Sequence, residues 1–67
     1  MLTVKEVRAA VQAIKHEQTD DEAAHVDEDR LHQMVLEAIA KGTAEDARGC
    51  ARAALRTQKL HFARWCA

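Results

Sequence analysis

The sequence predicts an all-α domain spanning residues 1–67: a short bundle of two long antiparallel helices with an N-terminal helix packed across them, dimerising. Three observations lead there. Proline is absent and glycine occurs only at Gly42 and Gly49, which leaves little material for the turns of a β fold. Apolar residues make up 48% of the chain and charged ones 31%, too apolar a balance for a disordered polymer. A start code then recurs: Thr3 with Glu6, Thr19 with Glu22 and Thr43 with Asp46 all fit the Ser/Thr-x-x-acid spacing of a capping box. In that box the hydroxyl accepts from the third helical amide while the acid reaches back to the cap amide.

Helix one is expected over about 4–17. Val4, Val7, Val11 and Ile14 repeat at helical spacing, with Ala10 behind them and Lys5, Arg8, Gln12 and Lys15 on the polar face. Leu2 and Val7 stand at the spacing of a hydrophobic staple. Helix two is expected over 20–41, with Ala24, Leu31, Met34, Val35, Ala38 and Ile39 on one side and Gly42 as its C′ residue. Asp27 and Glu28 interrupt that stripe, so a break with a new cap at Asp27, stapled by Val26 and Leu31, is the alternative. Helix three is expected over 44–65, placing Ala44, Ala47, Ala51, Ala54, Leu55, Phe62 and Trp65 on one face. The expected core is Val7, Val11, Ile14, Leu31, Val35, Ile39, Leu55, Phe62 and Trp65. The two aromatic residues supply most of its bulk, since each buries on the order of 150–250 Å².

A domain this short buries only about 60% of the surface its unfolded chain exposes, and such domains usually need a disulfide, a metal or a partner subunit. Cys50 and Cys66 stand sixteen positions apart. On one helix that is about 24 Å at ~1.5 Å per residue, against the ~7 Å a disulfide tolerates. Reduced thiols and a cytoplasmic setting are therefore expected. No signal-peptide pattern and no apolar run of ~18 residues are present, so no membrane partner is expected. Oligomerisation remains as the staple, with a two-fold dimer as its simplest form. Leu36 and Leu60 lie off the main stripes of helices two and three and are the candidate self-association or partner contacts.

Charge is unevenly spread although the net charge is −1. Residues 17–29 hold seven acids and no base, whereas from residue 47 onward there are five bases and no acid. Arg48, Arg52, Arg56 and Lys59 recur every three or four positions and form a basic ridge on helix three. As a functional feature it is a nucleic-acid-contacting ridge. The bland account is a solvated face partly neutralised by the acidic segment. A helix-turn-helix pattern fits poorly, because Arg56 occupies the position where a turn glycine is wanted. His25 and His32 share a helical face near Asp21, Glu28 and Asp29, but neither a Glu-x-x-His nor a Cys-x-x-Cys pair accompanies them. No metal or cofactor is expected. The chain also lacks a nucleophile-and-base constellation and a glycine-rich phosphate loop, so no enzyme is expected.

The run Ala24-His25, Glu28-Asp29, Leu31, Val35-Leu36, Ala38-Ile39-Ala40, Gly42, Ala53-Ala54-Leu55 and Phe62-Ala63-Arg64-Trp65-Cys66-Ala67 resembles small helical proteins encoded in bacteriophages and prophages. The closing Phe-Ala-Arg-Trp-Cys-Ala box carries most of the likeness, which covers about residues 23–67. It implies a compact accessory protein in a bacterial host cell and assigns no activity and no binding residue. The expected function is thus a non-catalytic protein-binding accessory or regulatory factor acting on a host or phage protein. The alternative is a small DNA-binding regulator using the ridge of helix three.

Overall fold

The first helix, α1 (Val4–His16), begins as its start code dictates. The Thr3 hydroxyl accepts from the Glu6 amide at 3.1 Å, and the Thr3 amide donates to the Glu6 carboxylate at 2.9 Å. The Thr3 amide and the Thr3 hydroxyl, which donates to the same carboxylate at 3.0 Å, hold the Glu6 carboxyl below its ordinary value. The other two start codes shift. The second helix, α2 (Asp21–Lys41), is capped by Asp20 rather than Thr19, its carboxylate accepting from the Ala23 amide at 3.2 Å. The third, α3 (Ala47–Ala54), is capped by Asp46, which accepts from the Gly49 amide at 2.9 Å. Thr43 cannot open a helix because its backbone is committed elsewhere. Its carbonyl accepts from the Leu2 amide, and its amide donates to the Ala38 carbonyl, both at 2.8 Å. Leu2 and Ala44 form a one-residue parallel bridge that ties the N-terminus to the loop before α3.

The structure is a computed structural model that describes residues 1–64. Within them the all-helical class holds, but the long third helix does not. After α3 the chain tightens into a 3₁₀ segment (Leu55–Lys59) and then runs extended from Leu60. Helix two is continuous through Asp27 and ends at Gly42, whose φ of 72° is the left-handed conformation a C-terminal glycine supplies without steric cost. Its 21 residues span about 31 Å at ~1.5 Å each, matching the molecule's longest dimension of 32 Å.

All three helices touch one another around a single core. Val7, Val11 and Ile14 come from α1, Ala24, Leu31 and Val35 from α2, and Cys50, Ala53 and Ala54 from α3. Ile39 and Phe62 pack against this cluster half-buried. Leu55 does not join it and stands 61% exposed. The buried face of α3 is therefore Cys50, Ala53, Ala54 and, beyond it, Thr57: of the expected stripe Ala54 is buried, whereas Ala47 and Leu55 are exposed and Ala51 is half-buried. This face follows from small residues. Gly49 lets α1 come so close that a Cβ there would lie 2.9 Å from a Val4 methyl and 2.8 Å from the Asp46 carboxyl carbon. The Cys50 thiol is fully buried, with its sulfur 3.8 Å from the Leu2 carbonyl. Because α3, which holds Cys50, ends at Ala54, the single long helix on which the 24 Å separation rests is not formed. The positions expected for Trp65 and Cys66 lie outside the described residues.

Gly49→Ala is expected to destabilise the fold by about 1–3 kcal/mol, the usual cost of forcing extra volume into a packed site, with loss of the Asp46 cap contributing. Denaturant unfolding of the two proteins checks this. An unchanged midpoint would mean that α1 and α3 do not approach this closely.

Candidate functional site

The most polar feature of the interior lies on the apolar face of α2. Ala24, Glu28, Leu31, Val35 and Ala38 form its buried stripe, so Glu28 occupies a core position, 3% exposed. A lone carboxylate there is very costly. Arg64 supplies the counter-charge from the extended C-terminal segment: Nε donates to Glu28 Oε1 at 2.8 Å and Nη2 to Oε2 at 3.2 Å. The same guanidinium donates to the carbonyls of Leu60 (3.2 Å), Phe62 (3.4 Å) and Thr57, and lies 4.0 Å over the centre of the Phe62 ring. Arg64 thus adds a second bond to the Thr57 carbonyl, which already accepts from the Leu60 amide at 3.0 Å, and pairs the Leu60 and Phe62 carbonyls just beyond the 3₁₀ segment. Thr57, fully buried, gives its hydroxyl hydrogen to the Ala54 carbonyl at 3.1 Å. His32 Nε2 sits 3.0 Å from the Thr57 hydroxyl and 3.3 Å from the same carbonyl, the arrangement of a ring protonated at Nε2.

Burial is the largest single influence on the Glu28 carboxyl and raises it. The hydrogen bonds and positive charge of Arg64, with the neighbouring Thr57 hydroxyl and His32 ring adding, outweigh burial and hold the group below its ordinary value of 4.5. Two further bonds lay the segment across the start of α2: the His61 amide donates to the Gln18 side chain at 3.2 Å and the Ala63 amide to Asp21 at 3.1 Å. This network is chemically saturated and structural.

Outside the core, the three helix pairs leave three grooves of different chemistry. Between α1 and α2, Ala10, Ala13, Ile14, Leu31 and Met34 line an apolar trough, with Asp27 and Arg30 beside it, their side chains 3.8 Å apart. Between α2 and α3, Val35, Ala51 and Ala54 form an apolar floor flanked by His32, Leu36 and Leu55, with Leu36 67% exposed. The third groove, between α1 and the α3–3₁₀ arm, is polar and basic. Arg8, Arg52 and Arg56 line one stretch of it, and Lys15, Arg56 and Lys59 line the next.

The sequence-derived candidates fall differently into this frame. Leu36 is exposed as expected, whereas Leu60 is half-buried and packs against the core. Leu55, assigned to the core by its spacing, is the exposed leucine in its place. Of the basic ridge, Arg52, Arg56 and Lys59 share the third groove, and Arg48 is exposed outside its lining. Among the described residues none of the four has a carboxylate within ion-pair distance. His25 and His32 do not act together: His25 Nε2 pairs with Asp29 at 3.4 Å while His32 turns to Thr57. Among the described residues no group of three or more His, Cys, Asp or Glu could hold a metal ion, and no helix is long and apolar enough to cross a membrane. No protein-family model, curated protein or solved structure matches the chain.

The lowered Glu28 value fixes the sign of a pH effect. Its contribution to stability is complete above the ordinary 4.5 and is lost as pH falls from there through the folded value. Arg64→Ala strands the carboxylate. With Arg64 30% exposed in the native protein, the cost at pH 7 is expected at about 2 kcal/mol, below the 3–5 kcal/mol of a fully buried pair. At a pH low enough to protonate Glu28 in the folded protein no counter-ion is needed, and the loss should shrink below about 1 kcal/mol. Urea unfolding at both pH values measures this. Equal losses would mean that Arg64 acts only through the carbonyls it caps.

Proposed function

We propose that this protein is a non-catalytic helical binding factor of the compact phage accessory type, acting in the bacterial cytoplasm on a host or phage protein and associating with itself as a two-fold dimer. The observation that carries this reading is the α2–α3 groove, where Leu36 and Leu55 stand 67% and 61% exposed beside an apolar floor. Single exposed leucines are ordinary. Two beside one apolar groove make a contiguous patch of the kind that marks an interaction site. An apolar floor between two exposed leucines suits the apolar face of a helix laid into the groove. A second copy is the natural occupant in the dimer, because one self-complementary patch closes the assembly and adds the burial a chain of 67 residues is short of.

Light scattering coupled to gel filtration is expected to show a dimer at tens of micromolar. Leu36→Glu and Leu55→Glu should each convert it to monomer with helix content intact, since both side chains are mainly in solvent. A monomeric wild-type protein rejects the dimer. For the protein partner, a wild-type bait should retain a host or phage protein that the Leu36→Glu bait loses. Equal retention by both would move recognition away from this groove.

A further inference from the structure

We propose that the seam between α1 and the α3–3₁₀ arm binds the sugar-phosphate backbone of a nucleic acid without reading its bases. Five cations converge there: Arg8 and Lys15 from α1, and Arg52, Arg56 and Lys59 from the opposite wall, with Arg56 common to both stretches of the groove. The only carboxylate in the lining, Asp46, is occupied in capping α3. No α2 residue lines the seam, so the acids of that helix do not enter it. Among the described residues none of the five cations has an ion-pair partner. A concave strip of one sign concentrates the opposite charge.

The ligand class follows from what the seam has and lacks. Arginine supplies three of the five cations, and its planar fork matches phosphate oxygens bidentately. Protein interfaces draw their affinity from buried aromatic or aliphatic anchors. The exposed Leu36 and Leu55 stand on the α2–α3 groove and not in this seam. Among the described residues its walls carry neither Phe nor Trp on which a base could stack, and His61 is their one aromatic ring, so the cations point to the backbone. Arg8 and Lys15, seven residues apart on α1, are about 10 Å apart along the helix axis at ~1.5 Å per residue. That distance corresponds to about three phosphates of one duplex strand at ~3.4 Å each.

Fluorescence anisotropy of the full chain with a labelled random duplex, across about 50 to 200 mM salt, tests the proposal. Five contacts at ~0.9 each give a log–log slope near 4.5, an affinity loss of about 500-fold over that range. Arg52→Gln/Arg56→Gln and, separately, Arg8→Gln/Lys15→Gln should each lower the slope by about 1.8 and weaken binding at least about tenfold at the lower salt. Using two pairs on different helices keeps the test decisive if one pair perturbs folding, which circular dichroism monitors. Arg30→Gln, beside the α1–α2 groove, should change affinity less than about twofold. Absence of binding at the lower salt overturns the proposal. So does an Arg30→Gln effect equal to that of the seam pairs. Competition by polyglutamate as effective as that by an unlabelled duplex of equal charge assigns the seam to an acidic protein instead, and overturns it too.

Discussion

The Glu28–Arg64 pair is the constraint on which the rest of the molecule is arranged. A glutamate on the buried stripe of a 21-residue helix is tolerable only with its charge matched in place. The match comes from 36 residues further along the chain. Satisfying it brings the C-terminal segment back across α2, which a continuous third helix could not do. The guanidinium that neutralises Glu28 is also the group that donates to the carbonyls of Thr57, Leu60 and Phe62. Ending the 3₁₀ segment and neutralising the buried acid are thus one event. Replacing such a pair by apolar residues is often neutral for stability. Its value here is geometric, since it fixes where residues 60–64 lie.

From that geometry follows the division of the surface. Because the third helical arm is short and tightens into 3₁₀ winding, its exposed side chains do not continue the stripe set by Ala47 and Ala51. Leu55 is released to the α2–α3 groove, and Leu60 is drawn inward in its stead. Arg52, Arg56 and Lys59 remain on one edge, facing α1. The core between these surfaces is made chiefly of valine and alanine, which lets three helices meet closely but supplies little volume. A bundle of this kind leaves shallow grooves between its helices in place of an enclosed pocket, the form that suits helices and extended polymers better than small substrates.

What the sequence disclosed is what is local. The Thr3–Glu6 box, the valine stripe of α1 and the Gly42 terminator are interactions over three or four residues, and each forms as read. Thr19 and Thr43 misled because Asp20 and Asp46 stand one and three residues beyond them and cap more strongly. Glu28 looked like an interruption of α2 because nothing near it in sequence can neutralise it. The end of α3 was illegible for a related reason. No proline or glycine marks Leu55–Lys59, and Phe62 continues the helical period from Leu55. The break is made by the Thr57 hydroxyl competing for a helical carbonyl and by a guanidinium that arrives through the tertiary fold. Arg8 and Lys15 were read as an ordinary polar face of helix one. Their proximity to Arg52, Arg56 and Lys59 exists only once α1 and α3 pack.

Part of the charge separation is a by-product of helix stability. Asp20 and Asp46 cap helix starts, Asp21 and Glu22 lie in a first turn, and Lys15, His16, Lys41 and Arg52 lie in last turns. That distribution complements the helix dipole. It also crowds carboxylates at the start of α2, where Glu17 is pushed above its ordinary value chiefly by the neighbouring Asp27 carboxyl, with burial and the charge of Asp20 adding. The dipole accounts for Lys15 and Arg52, and for Arg56 and Lys59 in the last turn of the 3₁₀ segment. It does not account for Arg8, which lies mid-helix in α1, beyond the terminal turn over which the dipole acts. Nor does it favour Arg48, placed in the first turn of α3 where a cation is opposed. Helix stability alone would put a neutral or acidic residue at the position of Arg48 and is indifferent to the charge of Arg8. The excess positive charge on the α1 and α3 side therefore goes beyond what these helices need in order to form.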